Sequence, residues 1–253
     1  MLDHKPLILV TNDDGVQAPG IAALFAAMQT LGQAVMIAPE QDASASSHSL
    51  TMKRPLRVRQ LAPEVHAIDG TPTDCVTIGV KKLLPRKPDL VVSGINPGPN
   101  LGDDVNYSGT VAAAKEGTLL GVPSFAVSLV AQNGTVRYEA AARFAGQLAA
   151  AILTNGLPKD TLFNVNVPDL PELNSARFTR QGRRLYDDAI KETFDPWGNQ
   201  HYWIGGGTPY WDEGVDTDAQ AVLAGVISVT PLHIDLTNHE ALARLRASWP
   251  FPL

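Results

Sequence analysis

The 253-residue chain carries 20 Lys and Arg against 26 Asp and Glu, a formal net charge of −6, with 44% hydrophobic residues and one cysteine. That balance supplies a sizeable core and argues against disorder, while an acidic chain with no long basic stretch fits neither a nucleic acid polymer nor an anionic membrane. A lone Cys75 excludes an intramolecular disulfide, and no 18-residue apolar stretch occurs, so the expectation is a soluble, cytoplasmic protein.

Residues 7–10, Leu-Ile-Leu-Val, read as a buried parallel strand. It ends in Thr11-Asn12-Asp13-Asp14-Gly15, where Gly15 suits the turn into a helix over 20–28. Residues 33–38 form a second strand, followed by a serine-rich polar loop over 40–54. Two alternating segments, 55–61 and 65–69, suggest a small antiparallel excursion. Gly70-Thr71-Pro72-Thr73-Asp74 then turns into a helix with Thr71 as cap and Pro72 in its first turn, and Cys75 faces inward. Residues 88–93 make another buried strand, which empties into a Gly/Pro/Asn loop over 94–104. Ser108-Gly109-Thr110 opens a helix over 111–120. A strand over 122–129, an amphipathic helix over 138–153 and a strand over 162–167 follow.

Alternation of strand and helix up to about residue 168 predicts a parallel α/β sheet with right-handed crossovers. Beyond it, residues 176–212 hold Trp197, Tyr202, Trp203 and a Gly205-Gly206-Gly207 run with little helical pattern, the mark of an extended hairpin or arm whose aromatics form an interface. A strand over 226–232 and a helix over 237–249 close the chain. No linker separates two equal domains.

Three strand ends carry hard-oxygen residues: Asp13 with Asp14, the loop containing Ser44, and Asn96. In a parallel sheet these ends share one edge. Adjacent carboxylates repel and are costly to bury unpaired, and a hard divalent cation resolves the conflict. The alternative, two aspartates capping a helix in water, stays open on the residues alone. Ser108-Gly109-Thr110 at a helix start offers free N–H groups and two hydroxyls, a cradle for phosphate, against the plainer role of Ser108 as an N-cap. A metal site beside an anion site is what metal-assisted phosphoester hydrolysis requires. No Gly-x-Gly-x-x-Gly follows a strand, and neither a Walker pattern nor a Gly-x-Ser-x-Gly elbow occurs. His48 and His233 suit packing or surface roles.

At these residues the sequence resembles the stationary-phase survival protein SurE family of metal-dependent nucleoside monophosphate phosphatases. The matching stretches are Thr11-Asn12-Asp13-Asp14-Gly15, Ala38-Pro39 with the serine loop through His48-Ser49-Leu50-Thr51, and Gly70-Thr71-Pro72-Thr73-Asp74-Cys75. Ser93-Gly94-Ile95-Asn96, Asn100-Leu101-Gly102, Tyr107-Ser108-Gly109-Thr110 and Val229-Thr230-Pro231-Leu232 continue the match in the family's order. The resemblance implies metal ligands Asp13, Asp14, Ser44 and Asn96, with Asn12 and Asp13 in the catalytic centre, and substrate contacts at Asn100, Ser108, Gly109 and Thr110. It implies one divalent ion per subunit, Mg²⁺ or Mn²⁺, and a three-layer Rossmann-like sheet. It further implies a single unit over 1–253 whose residues of about 176–235 include an arm and swapped C-terminal elements, in a homodimer or homotetramer. One departure stands out: Glu40-Gln41-Asp42-Ala43-Ser44-Ala45 carries no positive charge, where family members often place basic residues before the ligand serine.

The resulting expectation is a phosphomonoesterase acting on nucleoside 5′-monophosphates, extending to 3′-monophosphates and short polyphosphate. Water is the expected nucleophile and attack by Asp13 the alternative. The rivals are a nucleotide-binding regulatory protein without turnover and a general sugar-phosphate phosphatase.

Overall fold

The short apolar runs assemble into one sheet in a computed structural model that describes residues 5–131, 136–170, 172–173, 175–185, 190–204, 210–211 and 214–249. In chain order the first half comprises β1 (Leu7–Thr11), α1 (Pro19–Gln29), β2 (Gln33–Pro39), β3 (Val58–Ala62), β4 (Val65–Ile68), α2 (Pro72–Ile78), β5 (Leu90–Asn96) and α3 (Gly109–Leu119). It continues with β6 (Ser124–Val130), α4 (Tyr138–Asn155), β7 (Thr161–Pro168), β8 (Ala176–Phe178), β9 (Arg184–Leu185), β10 (Ile190–Phe194) and β11 (Gln200–Ile204). The last elements are β12 (Tyr210–Trp211), α5 (Asp218–Leu223), β13 (Ile227–His233) and α6 (His239–Ser248). Among the described residues, nine strands pair in the order β3-β4-β2-β1-β5-β6-β7-β13-β8.

From β4 across to β7 every pairing is parallel, while β3 against β4 and β13 against β7 are antiparallel. The chain runs outward from β1 through β2 to β4, returns to β5 on the other side of β1, and continues outward through β6 to β7. The winding therefore reverses between β1 and β5. Open α/β sheets bind ligands outside the carboxyl ends of the strands beside such a reversal.

Alternation along β1 sends Ile8 and Val10 to one face and Leu7 and Leu9 to the other. The first face is covered by α1 and α4 through Ile21, Leu24, Met28, Ala145, Ala149 and Ile152; the second packs with Cys75 and Val76 of α2 and Ala113 of α3. Each fully buried Leu or Ile contributes about 1.5–3 kcal/mol, so the strands that carry the site are held from both sides. Cys75 is buried, and that burial drives its thiol pKa well up, which leaves it an inert packing residue.

The anticipated cap of α2 is a full capping box: Thr71 accepts from the Asp74 N–H, and Asp74 accepts from the Thr71 N–H. Three features differ from the sequence expectation. β5 continues through Gly94 and Ile95 to Asn96, because a register shift against β6 and a positive φ at Gly94 absorb what looked like a loop. Residues Gly102–Asn106 form a 3₁₀ turn, and the short helix α5 was not anticipated.

Past β9, β10 and β11 pair antiparallel as a hairpin apart from the main sheet. Its aromatic residues are solvent-facing, with Trp197 84% and Trp203 67% exposed, and none of α6 is buried. The Gly205-Gly206-Gly207 run lies outside the described residues. Among the described residues no helix is long and apolar enough to cross a membrane.

Candidate metal and phosphate site

The acidic pair follows β1 directly, and Asn96 ends β5, the neighbouring strand in parallel register with β1. Gly15 turns the chain at φ +97°, and a Cβ there would crowd the backbone of Gln41 at 3.2 Å. Asn12 closes this turn by donating from Nδ2 to the Gly15 carbonyl at 3.0 Å. Its Oδ1 is buried without a partner among the described residues, as is Oδ2 of Asp14.

Asp13 is buried, and the start of α3 is built against it. The Thr110 hydroxyl donates to Asp13 Oδ1 at 2.6 Å. A Cβ on Gly109 would lie 2.8 Å from Asp13 Cβ and 2.8 Å from Ser46 Oγ, so only glycine lets the helix start come this close. The serine loop closes the third side, with the Ala43 N–H donating to the Asp13 carbonyl at 2.8 Å. Ser108 caps α3, accepting from the Val111 N–H at 3.1 Å. The first-turn N–H groups and the helix dipole of α3 thus begin beside the carboxylates.

Burial is the main reason that the Asp13 pKa lies above the ordinary carboxylate value; the Thr110 hydroxyl and N–H pull the other way. The Asp14 pKa is pushed up to about 7, first by burial, then by the negative charges of Asp13 and Asp42. Asp42 thus adds its negative charge to the repulsion within the acidic pair. Sequence reasoning passed over it, though it lay two residues before the singled-out serine.

Ser44 sits on the loop's exposed side, with its hydroxyl donating to Asp42 Oδ1 at 2.5 Å. Ser46, not Ser44, packs against Asp13 and Gly109, and its buried hydroxyl has no partner among the described residues. Asn96 donates to the Gly98 carbonyl at 2.8 Å, which leaves its side-chain oxygen for another use. Asn100 is pinned on every side: its Nδ2 donates to Ser128 Oγ, its N–H to Asn166 Oδ1, and its carbonyl accepts from Asn164 and Asn166. These two asparagines also went unremarked. Polar residues at alternate positions of the apolar run 162–167 were the signal.

The loop is anchored at its far end by His48, which bonds Glu116 of α3 at 2.9 Å, while the Thr77 hydroxyl holds the other carboxylate oxygen. The His48 contact, then that of Thr77, keeps the Glu116 pKa below its ordinary value despite burial. The cations missing from residues 40–45 arrive from β3 and the residue before it: Arg57 and Arg59 both pair with Glu40.

Among the described residues no group of three or more His, Cys, Asp or Glu is arranged around a metal position. The donor set is two carboxylates with amide and hydroxyl oxygens, which excludes a thiolate or imidazole centre and suits a hard cation. Asn12 Oδ1 and Asp14 Oδ2, buried without a partner among the described residues, and the raised pKa values of the acidic pair fit such a cation.

Fold and site together define a doubly wound α/β protein with an acidic, oxygen-rich strand edge beside a helix start at its switch point. The family model for Survival protein SurE matches residues 8–188. A protein of Geobacter sulfurreducens named 5′-nucleotidase SurE is 53% identical over 244 residues, covering 96% of this chain and 93% of its own length. A protein of the same name from Syntrophotalea carbinolica is 54% identical over 233 residues, covering 92% and 93%. The crystal structure of the SurE protein from Aquifex aeolicus superposes with a TM-score of 0.84 at 41% identity, covering 96% of this chain and 99% of that one. This chain belongs to the SurE family.

Proposed function

We propose that the chain is a divalent-metal-dependent 5′-nucleotidase that hydrolyses nucleoside 5′-monophosphates to nucleoside and phosphate. The observation that carries this is the contact of the α3 start with buried Asp13, which sets a helix N-terminus, suited to an anion, beside two carboxylates whose pKa values are raised. The name 5′-nucleotidase SurE on relatives about half identical over nearly the whole chain supports the same reading.

Asp13, Asp14 and Asn96 would hold one ion, Mg²⁺ or Mn²⁺, and Ser44, whose hydroxyl rests on Asp42, would join them by turning that hydroxyl inward. When bound, the ion offsets the repulsion within the acidic pair and supplies positive charge to the phosphoryl oxygens. Thr110 keeps Asp13 in one orientation. Ser108 and Gly109 present backbone N–H groups to the phosphate, Gly109 lets them approach, and Thr110 borders the phosphate with its hydroxyl and N–H turned to Asp13. Asn12 fixes the turn that aims the acidic pair, and Asn100 borders the substrate from a loop locked to β6 and β7. Water is the attacking nucleophile in this reading, with Asp13 kept as a ligand whose Oδ1 Thr110 orients.

The exposed Trp197, Tyr202 and Trp203 form the contact face of a homodimer or homotetramer, as an arm within a single 253-residue unit. One buried free thiol suits the cytoplasm. A substrate panel tests the reading: phosphate release from nucleoside 5′-monophosphates should exceed that from sugar phosphates and vanish on chelation of the ion. Equal turnover of all phosphomonoesters would reduce the reading to a general phosphatase.

A further inference from the structure

The 3₁₀ turn Gly102–Asn106 contributes none of the residues assigned above, yet it is fastened at both ends. At its start the Gly102 N–H donates to Asp218 Oδ2 at 2.9 Å, and the Gly102 carbonyl accepts from Gln181 Nε2 at 2.9 Å. The Arg184 N–H donates to Asp103 Oδ2 at 3.0 Å, and the Arg184 guanidinium pairs with Asp104. At its far end the carbonyls of Asn106 and Tyr107 accept from the hydroxyl and N–H of Ser47, both at 3.2 Å. The turn is therefore a bridge. One end rests on the segment leading into β9, and the other carries the serine loop and runs directly into Ser108.

Asp218 is the keystone of the first end. It is fully buried at the start of α5, 116 residues from Gly102. Its Oδ1 accepts from the N–H groups of Gly182 and Ala219, at 2.9 and 2.8 Å. Two carboxylate oxygens thus join three backbone segments through charge-assisted bonds. Gly102 sits at φ +52°, and a Cβ on it would lie 3.0 Å from the Gly182 carbonyl, so the segments already lie against each other. Burying a carboxylate is costly unless its bonds do something, and what these bonds fix is the path from Asn100 to Ser108.

We propose that Asp218 is a positioning residue for the phosphate-binding helix start, acting through Gly102–Asn106 on Ser108 and on the serine loop. This rests on the reading of that site as a phosphomonoesterase. The perturbation is Asp218→Asn. The remaining carbonyl oxygen keeps the two N–H donors that share Oδ1, so the amide NH₂ faces the Gly102 N–H, donor against donor. Of the bonds to Gly102, Gly182 and Ala219, the last two survive and the one to the turn is cut.

The experiment measures kcat and KM on a nucleoside 5′-monophosphate at saturating Mn²⁺, Mn²⁺ affinity without substrate, and amide hydrogen exchange over residues 101–108. Misplacing a reacting group by about 1 Å costs up to ~100-fold, so kcat/KM per folded molecule should fall between about tenfold and a hundredfold. Exchange over 101–108 should quicken at least about tenfold. Mn²⁺ affinity should fall several-fold less than kcat/KM, because Asp13 and Asp14 follow β1 directly and the turn reaches the ion only through Ser44 and the Thr110 contact. A lowered melting temperature with unchanged kcat/KM, or a loss of Mn²⁺ affinity as large as the loss of activity, would overturn the proposal. Should Asp218→Asn fail to fold, Gln181→Ala removes only the bond to the Gly102 carbonyl. It should lower kcat/KM about threefold and quicken the same exchange, and wild-type values for both would overturn the proposal. Inactivity of the wild-type protein with every divalent ion would fault the functional reading and this proposal with it. Wild-type activity matched by both variants would fault the positioning role alone.

Discussion

Thr110→Val separates two roles for one hydroxyl. Valine matches threonine in shape, so the change deletes a donor and leaves the packing of α3 on the sheet nearly intact. In the structure that hydroxyl is given to Asp13 at 2.6 Å and Thr110 is fully buried, so this residue serves the acidic pair before the phosphate. A hydrogen bond to a charged group is worth about 1.5–3 kcal/mol, and its loss here leaves a buried carboxylate short of a donor. Partners that orient ligating carboxylates typically cost about 10–100-fold in metal affinity or activity when removed. Titration calorimetry with Mn²⁺ on substrate-free protein at pH 7–8 should show affinity at least about tenfold weaker, or about 1.4 kcal/mol. The Asp13 pKa should also rise further, since a contact that lowers it is gone. Unchanged Mn²⁺ affinity with a raised KM for substrate would refute this, and would return the hydroxyl to the phosphate.

Asp14→Asn should stabilise the metal-free protein at high pH only. The folded protein holds the Asp14 proton up to about pH 7, against a reference of 3.8, so wild-type stability falls as pH rises from about 4 to 7 and the substitution removes that fall. With the half-buried carboxylate partly screened by solvent, the gain at pH 8 should be about 1 kcal/mol, or about 2–4 °C in Tm, and should vanish near pH 4. A pH-independent gain would contradict it. Gly109→Ala improves helix propensity at a helical position, yet its methyl would intrude on Asp13 and Ser46. kcat/KM should drop at least about tenfold while circular dichroism is unchanged, and full activity would show that the close approach is unimportant. The double variant Trp197→Lys with Trp203→Lys should shift sedimentation toward monomer at micromolar concentration; an unchanged oligomer would place the contact face elsewhere.

What the sequence made legible is what short-range chemistry decides. The runs at β1, β2, β5, β6 and β7 are short, mainly apolar and mostly bounded by Gly, Pro or Asp, so their burial and the acidic pair's place at a strand end followed directly. The Thr71 cap and the exposed aromatic hairpin were read from local patterns in the same way. Contacts across the fold were not. Thr110 reaching Asp13 spans 97 residues, and no periodicity encodes it. Ser44 and Ser46 are alike as text, yet the Asp42 turn holds one outward while the other packs on Gly109. Gly94 looked like a loop residue because glycine usually breaks strands, whereas here it enters a bulge inside β5. Asp218 was hidden in a stretch that read as arm, although Thr217-Asp218 is an ordinary helix start and Thr217 does cap α5.

The central claim is that the acidic pair holds the ion on which phosphate release depends. Its most direct test is phosphate liberated from a nucleoside 5′-monophosphate as Mn²⁺ is titrated into chelator-stripped protein, with wild type and Asp14→Asn side by side. Stripped wild type should be inactive and recover to a plateau with Mn²⁺. Asp14→Asn should need at least about tenfold more Mn²⁺ or stay inactive, the loss expected for one ligand charge. Full activity of the stripped wild type, or superimposable titrations of the two proteins, would contradict the account.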